Sequence, residues 1–232
     1  MDRTDQWGDT DHMHEGAYTA DRAAALSGVP WSTVHDWARK GVLVPSVSPT
    51  KTKLWSYADL MGLRTIYWLR QNKEGHDQPF RRSTMNTVKA ALQRLAELDL
   101  DLWSEDHGPA VRVDAAGMIF LSTAPSAEDL RRQRVLDDES LDLLAPFETD
   151  RGIRGPDLVA PRPTLRIVPG KIGGSPHIQR TRLETRALAA LAKRGVGKSK
   201  IYRLYPDVPT EGIDESLDLE YQLDRNLSLA AA

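Results

Sequence analysis

The chain has 232 residues, of which 40% are hydrophobic, and its formal net charge at pH 7 is -2. This length suits two modest domains, and the hydrophobic content suffices for packed cores. No apolar run approaches the length of a membrane span, and the acidic N-terminus, residues 1–15, lacks the pattern of a signal peptide. We therefore expect a cytoplasmic protein with no membrane partner. The absence of cysteine excludes disulfides, thiolate metal sites and cysteine chemistry.

The first pattern along the chain is a helix-turn-helix. Thr19 is placed to cap a short apolar helix that Gly28 ends. Pro30 and Trp31 open a second helix, which ends near Gly41. Two helices joined by so short a turn cross steeply, which is the geometry that presents the second helix to a DNA major groove.

The following residues predict a wing and a third helix. Two short apolar runs between Val42 and Trp55 flank a basic, turn-rich tract at residues 46–53, which predicts a hairpin whose lysines could reach phosphate. Ser56 and Asp59 have capping-box spacing, with Asp in place of the usual Glu, before a helix that extends to about residue 71. This order of elements predicts a winged helix-turn-helix at residues 17–82, after a flexible N-terminus at residues 1–16.

This predicted domain carries several short motifs: Tyr18-Thr19-Ala20, Ala23-Ala24, Gly28-Val29, Thr33-Val34, Trp37, Gly41-Val42-Leu43-Val44-Pro45-Ser46 and Trp55-Ser56-Tyr57-Ala58-Asp59-Leu60. With them it resembles the DNA-binding domain of MerR-type regulators. The resemblance implies that the second helix faces bases and phosphates and that lysines flank the wing. The implied DNA-binding residues are Trp31, Ser32, Thr33, His35, Arg39, Lys51 and Lys53. One departure is His35-Asp36, where MerR-type proteins usually carry Arg-Tyr or Arg-Trp, because it places a carboxylate near phosphate.

The middle of the chain, residues 83–148, predicts a connecting helix and a small β-sheet. The apolar spacing of Val88, Leu92 and Leu95 indicates an amphipathic helix over about residues 83–98. Runs at residues 100–104, 110–113 and 118–121 predict short antiparallel strands. Residues 149–163, rich in Gly, Pro and Arg, predict an inter-domain linker. The expected fold class is therefore mainly α with small β elements (α+β).

Residues 164–225 predict a helical domain, followed by a tail at residues 226–232. A short strand and a loop rich in glycine and proline precede a helix that Gly195 ends and a second helix from Lys198 to Tyr205. Thr210 could cap a third, acidic helix that extends to about Asp224. The domain is thus a three-helix unit that contains a second helix-turn-helix pattern.

The same region carries a recognisable signature: Arg166-Ile167, Pro169-Gly170, Gly173-Gly174-Ser175-Pro176, Arg180-Thr181-Arg182, Ala192, Gly195, Ile201 and Tyr205-Pro206. It resembles a short domain of unknown function common in bacterial antitoxins. Behind a MerR-like module, such a domain resembles a VapB-type antitoxin of a type II toxin-antitoxin pair. The resemblance implies a homodimer that silences a PIN-domain ribonuclease toxin and represses the shared operon at its operator DNA. Because PIN-type active sites are carboxylate clusters around Mg²⁺, Arg225 on the tail is a candidate toxin-binding residue.

Charge is strongly segregated in the C-terminal third. Between Pro161 and Tyr205 eleven basic residues accompany one acid, whereas seven acids and no base lie between Asp207 and Asp224. The basic block predicts a second basic surface that meets an anionic partner, formed by Arg180, Arg182, Arg186, Lys198, Lys200 and Arg203. The alternative is a mixed-charge surface that folds back on itself.

Two motifs resemble catalytic or metal-binding sites, but the surrounding sequence does not support either reading. Gly195-Val196-Gly197-Lys198-Ser199 resembles the end of a phosphate-binding P-loop, but Ala192 stands where the first glycine is required, after a helix rather than a strand. His12 and His14 could coordinate a metal, but they lie in the N-terminus that we expect to be flexible. No nucleophile-base pair stands out, so we expect neither enzymatic activity nor a cofactor.

Two other functions stay open at this stage. One is a MerR-type, ligand-responsive transcriptional regulator without a toxin partner, in which the C-terminal half senses a small molecule. Such regulators have a long dimerising helix directly after the winged domain, whereas residues 72–79 predict a helix break. The other is a protein-interaction adaptor with a degenerate helix-turn-helix, which Asp36 keeps open.

Overall fold

A computed structural model describes residues 16–70, 84–96, 104–105, 110–114, 118–122, 140–149 and 152–231. The helices of these ranges are α1 (Ala20–Ser27), α2 (Trp31–Arg39), α3 (Tyr57–Arg70), α4 (Met85–Ala96), α5 (Thr185–Lys193), α6 (Lys198–Leu204) and α7 (Thr210–Ala231). The strands are β1 (Ala110–Asp114), β2 (Ile119–Ser122), β3 (Ser140–Asp142), β4 (Phe147–Glu148), β5 (Arg154–Gly155), β6 (Leu165–Arg166) and β7 (His177–Ile178). The predicted fold class, mainly α with small antiparallel sheets, is confirmed. Within these ranges no helix has the length and apolar character needed to cross a membrane.

Some sequence predictions lie outside the described residues. These are the N-terminal histidines, the helix break at residues 72–79 and most of the strand expected at residues 100–104. The other two predicted strands are confirmed as β1 and β2, which pair antiparallel with Val111 opposite Leu121. A third strand, β3, joins the other edge of β1. Val111 and Val113 alternate with Arg112 and are both buried, as expected for a strand with one face on the core.

The core of the N-terminal module lies between α1 and α3. Tyr18 and Trp55 exchange two backbone hydrogen bonds of 2.9 Å, which join the start of the module to the end of the wing. Both side chains are buried, together with Leu26, Leu60 and Leu63. A large share of the apolar surface of α1 and α3 is thereby removed from water, and this burial stabilises the module.

Residues 152–163 do not form a free connection, in contrast to the linker predicted for residues 149–163. Strand β5 pairs with β4, and Leu158 is completely buried. The Tyr57 hydroxyl donates a hydrogen bond of 2.8 Å to the backbone oxygen of Leu158. Glycine and proline indicate a chain that turns, and they carry no information on whether the turns face solvent or a core. The predicted domain boundaries themselves stay predictions.

A completely buried arginine, Arg64 of α3, joins this segment to the helix-turn-helix. Its guanidinium donates hydrogen bonds to five backbone carbonyls, those of Leu26, Ser27, Leu143, Ala145 and Pro156. Burial disfavours the charged form and lowers the pKa of Arg64 to about 10. The cation therefore stays protonated at neutral pH, and the carbonyl dipoles replace the water that it has lost.

The predicted tail is wrong for residues 226–231, because α7 continues through Ala231. Leu219, Leu223 and Asn226 are buried on one side of the helix. The Asn226 amide donates hydrogen bonds to the backbone oxygens of Ala25 at 3.1 Å and Arg154 at 2.8 Å. The buried face thus extends past Asp224, where the acidic run ends, and tertiary contacts keep the last turns helical.

Replacement of Arg64 by methionine should lower the free energy of unfolding by about 3 kcal/mol or more, because several buried carbonyls lose their donor. Urea denaturation followed by circular dichroism measures this loss. The matched control is Arg203→Met on exposed α6, which should change stability by less than about 0.5 kcal/mol. A loss below about 1 kcal/mol for Arg64→Met would show that water replaces the guanidinium.

Candidate nucleic-acid interface

The helix-turn-helix is fixed by local caps and by one close approach. The Thr19 hydroxyl accepts the N–H of Arg22 at 3.4 Å, and Gly28 ends α1 with φ of 75°. A Cβ atom on Gly28 would lie 2.5 Å from the backbone nitrogen of Gly155. Gly28 is therefore required both by its left-handed backbone and by the strand that packs against it. These contacts confirm the caps predicted at Thr19 and Gly28.

The first turn of α2 presents an aromatic pair to solvent. Trp31 is 40% exposed, and its indole N–H donates to the carboxylate of Asp21. The ring centroids of Trp31 and His35 are 4.1 Å apart. Arg39 follows one turn later, so Trp31, His35 and Arg39 share one side of the helix at spacings of four residues. Ser32 is also exposed, whereas Val34 is the buried residue of this helix.

Asp36 neutralises two cations at the end of the same helix. Its carboxylate lies 2.7 Å from the Lys40 ammonium and 2.6 Å from the Arg39 guanidinium. Hydrogen bonds from Lys40 and Arg39 lower the pKa of Asp36 below its ordinary value, so it is ionised at neutral pH. These three residues together carry a formal charge of only +1. The sequence predicts a bare carboxylate near phosphate at Asp36. In the structure this carboxylate instead forms an internal ion pair with Arg39 and Lys40.

The wing is closed by one short antiparallel bridge rather than by two regular strands. Ser48 and Leu54 exchange backbone hydrogen bonds of 3.1 and 2.9 Å around residues 49–53. The base of the wing is fixed to α3, because Asp59 accepts the backbone N–H and the hydroxyl of Ser46 at 2.9 and 2.8 Å. Asp59 and Ser56 also exchange the two hydrogen bonds of the predicted capping box.

Two lysines lie in the loop that this bridge closes. Lys51 is exposed and Lys53 is half-buried. Neither ammonium has a partner within the ranges that the structure describes. The wing thus offers free cations in the same domain as α2. The participation of these lysines and of the α2 residues, Thr33 included, in DNA binding stays a prediction.

Only part of the predicted second basic surface carries free charge. The Lys198 ammonium lies 2.6 Å from the Asp214 carboxylate of α7, and Lys193 pairs with Asp224 at the same distance. Arg186 lies 3.8 Å from Glu184. The acidic helix thus folds back on the basic block, as the mixed-charge alternative expected for these residues.

Five other cations of the block are exposed: Arg180, Arg182, Arg194, Lys200 and Arg203. Their side chains form no ion pair with any residue in the described ranges. The same is true of Arg225, which lies on the exposed side of α7 and not on a tail. Leu204, next to Arg203 at the end of α6, is 52% exposed. This surface therefore combines positive charge with an apolar side chain, a combination that suits a protein partner.

Helix α7 also docks the C-terminal unit onto α1. Arg22 of α1 and Glu220 of α7 form a two-pronged ion pair with distances of 2.8 and 2.7 Å. Glu220 is 5% exposed and also accepts the hydroxyl of Thr185. Just before α1, the Tyr18 hydroxyl donates to the backbone oxygen of Gly174 at 2.8 Å. The two predicted modules are thus packed against one another.

Sequence reasoning counted Glu220 only as one acid of the run from Asp207 to Asp224, and it did not single out Arg64. A signal for Glu220 was available, since it falls on the α7 face that carries Leu219 and Leu223. A carboxylate on an apolar helix face needs a buried partner. That partner, Arg22, is almost two hundred positions away, at a sequence separation of 198.

Comparisons with known families agree with this architecture. Residues 18–74 match the model of the MerR HTH family regulatory protein, and residues 166–218 match a protein of unknown function (DUF433). The chain therefore carries a MerR-family helix-turn-helix domain near its N-terminus and a DUF433 domain toward its C-terminus. The first of these indicates DNA binding and regulation. Neither the curated proteins nor the solved structures gave a match to the chain.

Asp36→Asn should strengthen DNA binding, because it releases Arg39 and Lys40 to contact phosphate. We expect a severalfold gain in affinity at low salt and a salt dependence steeper by about one released counterion. Fluorescence anisotropy with a duplex from upstream of the gene, across a salt series, measures both quantities. The matched control is Asp207→Asn, which makes the same change in net charge on an exposed loop. An equal gain in both variants would assign the effect to net charge alone.

Proposed function

We propose that this protein is a non-catalytic antitoxin of the VapB type. It binds and neutralises a PIN-domain ribonuclease toxin in the cytoplasm and represses its own operon by binding operator DNA as a homodimer. The observation that supports this proposal best is the presence of two separate sets of free cations. One set lies on the wing of the MerR-type domain, and the other lies at the two ends of α5 and on α6 of the DUF433 domain.

The DNA-binding half rests on the geometry of the N-terminal domain. Trp31, Ser32 and Arg39 are exposed on α2, and Lys51 is exposed on the wing. Such a helix and wing can contact adjacent stretches of one duplex. Because Asp36 neutralises part of the charge of α2, a single module makes few phosphate contacts. Two modules on a two-fold axis double them, which is the physical reason for a homodimer on a palindromic operator.

The toxin-binding half rests on the C-terminal domain. Its signature resembles that of a domain common in bacterial antitoxins. Arg203 and Leu204 are exposed beside one another on α6. Arg225 on α7 is a further free cation that could reach a carboxylate cluster. A PIN-type active site offers such a cluster, so an arginine inserted there would compete with Mg²⁺ for the carboxylates.

The repression half is tested by a mobility shift of the promoter with the purified full chain. We expect a complex at low salt that weakens steeply as salt rises. Lys51→Ala with Lys53→Ala should weaken binding about tenfold and flatten the salt slope by about two. Absence of any shift at low salt would contradict autorepression.

The toxin half is tested by co-expression with the product of the adjacent reading frame. Lys200→Ala with Arg203→Ala should weaken the complex by about tenfold or more, because both cations are free to contact the partner. The matched control is Lys193→Ala with Lys198→Ala, which removes the same charge from residues already paired with α7. Loss of affinity in the control alone, or in neither variant, would exclude this surface. Absence of a PIN-type neighbour would overturn the antitoxin proposal.

A further inference from the structure

A cleft of about 640 Å³ lies beside residues 152–163, the segment that precedes the DUF433 domain. It is formed by residues 154–157 and 160–163, with Arg166 of β6 and Gln222 of α7 on its walls. This volume falls within the range of about 300–1,000 Å³ typical of small-molecule sites. The cleft lies apart from α2 and the wing, and no role in DNA or toxin binding has been assigned to it.

The lining of the cleft combines apolar side chains with arginines. Pro146, Pro156, Ala160 and Pro161 provide the apolar part, and arginines 154, 162 and 166 provide positive charge. The one carboxylate among the lining residues, Asp157, accepts the backbone N–H groups of residues 159 and 160 at 2.7 Å. The lining therefore carries a formal charge of +2, next to surfaces that can exclude water.

Arg166 is the most specific feature of this lining. Its guanidinium is held by three backbone carbonyls, those of Glu105 at 2.9 Å, Pro163 at 3.0 Å and Leu165 at 2.7 Å. It forms no ion pair with any carboxylate in the described ranges, and its Nη2 has no hydrogen-bond acceptor there. Carbonyls orient a guanidinium but leave its charge in place. A fixed cation without a counter-charge binds an anion at a low cost in side-chain entropy.

The other two arginines have different roles. Arg162 is fully engaged, with Asp218 at 2.8 Å and Gln222 at 2.7 Å, so that it shapes the wall. The Arg154 Nε lies 3.1 Å from the Glu148 carboxylate, and both side chains are largely exposed. This ion pair is longer than those of Lys193 and Lys198, and no hydrogen bond of the Arg154 guanidinium accompanies it in the described ranges. Arg154 is therefore available as a second, adjustable donor to an anion.

We propose that this cleft binds a small organic anion with an apolar body. Arg166 and Arg154 would contact the anionic group, and the proline surfaces would cover the apolar part. The proline-lined walls favour such a molecule over an inorganic anion, whose entire surface must be hydrogen-bonded. Pro156 of the lining accepts a hydrogen bond from Arg64, and Gly155 packs closely against Ser27 at the end of α1. An occupant therefore stabilises the folded chain, and the melting temperature rises with its concentration.

The test uses two fluorescent probes that share an apolar body but differ in charge. These are the anion 8-anilinonaphthalene-1-sulfonate and the neutral N-phenyl-1-naphthylamine, each titrated into the full-length protein. We expect one saturable site for the anion, with the neutral probe bound at least about tenfold more weakly. No saturable binding of the anion, or equal binding of both probes, would overturn the proposal.

Variants locate the site. Ala160→Trp fills the cleft from an exposed position and should abolish anion binding, whereas Ala187→Trp on the exposed face of α5 should leave it unchanged. Arg166→Ala should weaken binding about tenfold, and the matched control Arg182→Ala should not. If the Arg166→Ala variant does not fold, Arg154→Ala tests instead whether positive charge in the cleft contributes to anion binding. The Arg154 side chain is 71% exposed, so its removal should not disturb the fold. Anion binding that survives Ala160→Trp would contradict the assignment to this cleft.

Discussion

The buried guanidinium of Arg64 is the interaction on which the remainder of the structure depends. Its five carbonyl partners come from the end of α1, the stretch after β3 and the segment after β5. A lone charge in a protein interior is very unfavourable unless dipoles surround it. The carbonyls of three distant stretches must therefore meet around this one side chain. Because two of them end α1, the position of α2 relative to the central segment follows from the same requirement.

Ion pairing decides which charges of this nearly neutral chain can meet a partner. The acids of α7 neutralise Lys193 and Lys198, and they leave Lys200 and Arg203 free one turn away. Asp36 has the same effect on α2. A count of basic residues predicted one continuous surface, whereas the structure divides it into paired and free cations. The free cations have not given up hydration to an internal partner, so they are the ones that contribute to long-range attraction.

Local rules predicted the elements well where a cap or a turn fixes the backbone. Thr19, Gly28 and the pair Ser56 and Asp59 act as expected, because each satisfies backbone groups within a few residues of itself. The same rules failed where the outcome depends on distant partners. Residues 152–163 have the composition of a linker, yet Leu158 is buried beneath Tyr57. Residues 226–231 follow the acidic run, yet Asn226 reaches back to Ala25.

The sequence by itself determined the helix boundaries of the first module, the fold class, the two domain resemblances and the uneven charge, since all of these are local properties. The tertiary structure decided which of those charges are exposed, that α7 covers α1, and that an arginine-lined cleft forms beside the connecting segment. The ion pair of Arg22 with Glu220 shows the reason. Its energy depends on burial and on a distance of under 3 Å, and neither quantity exists until the chain has folded.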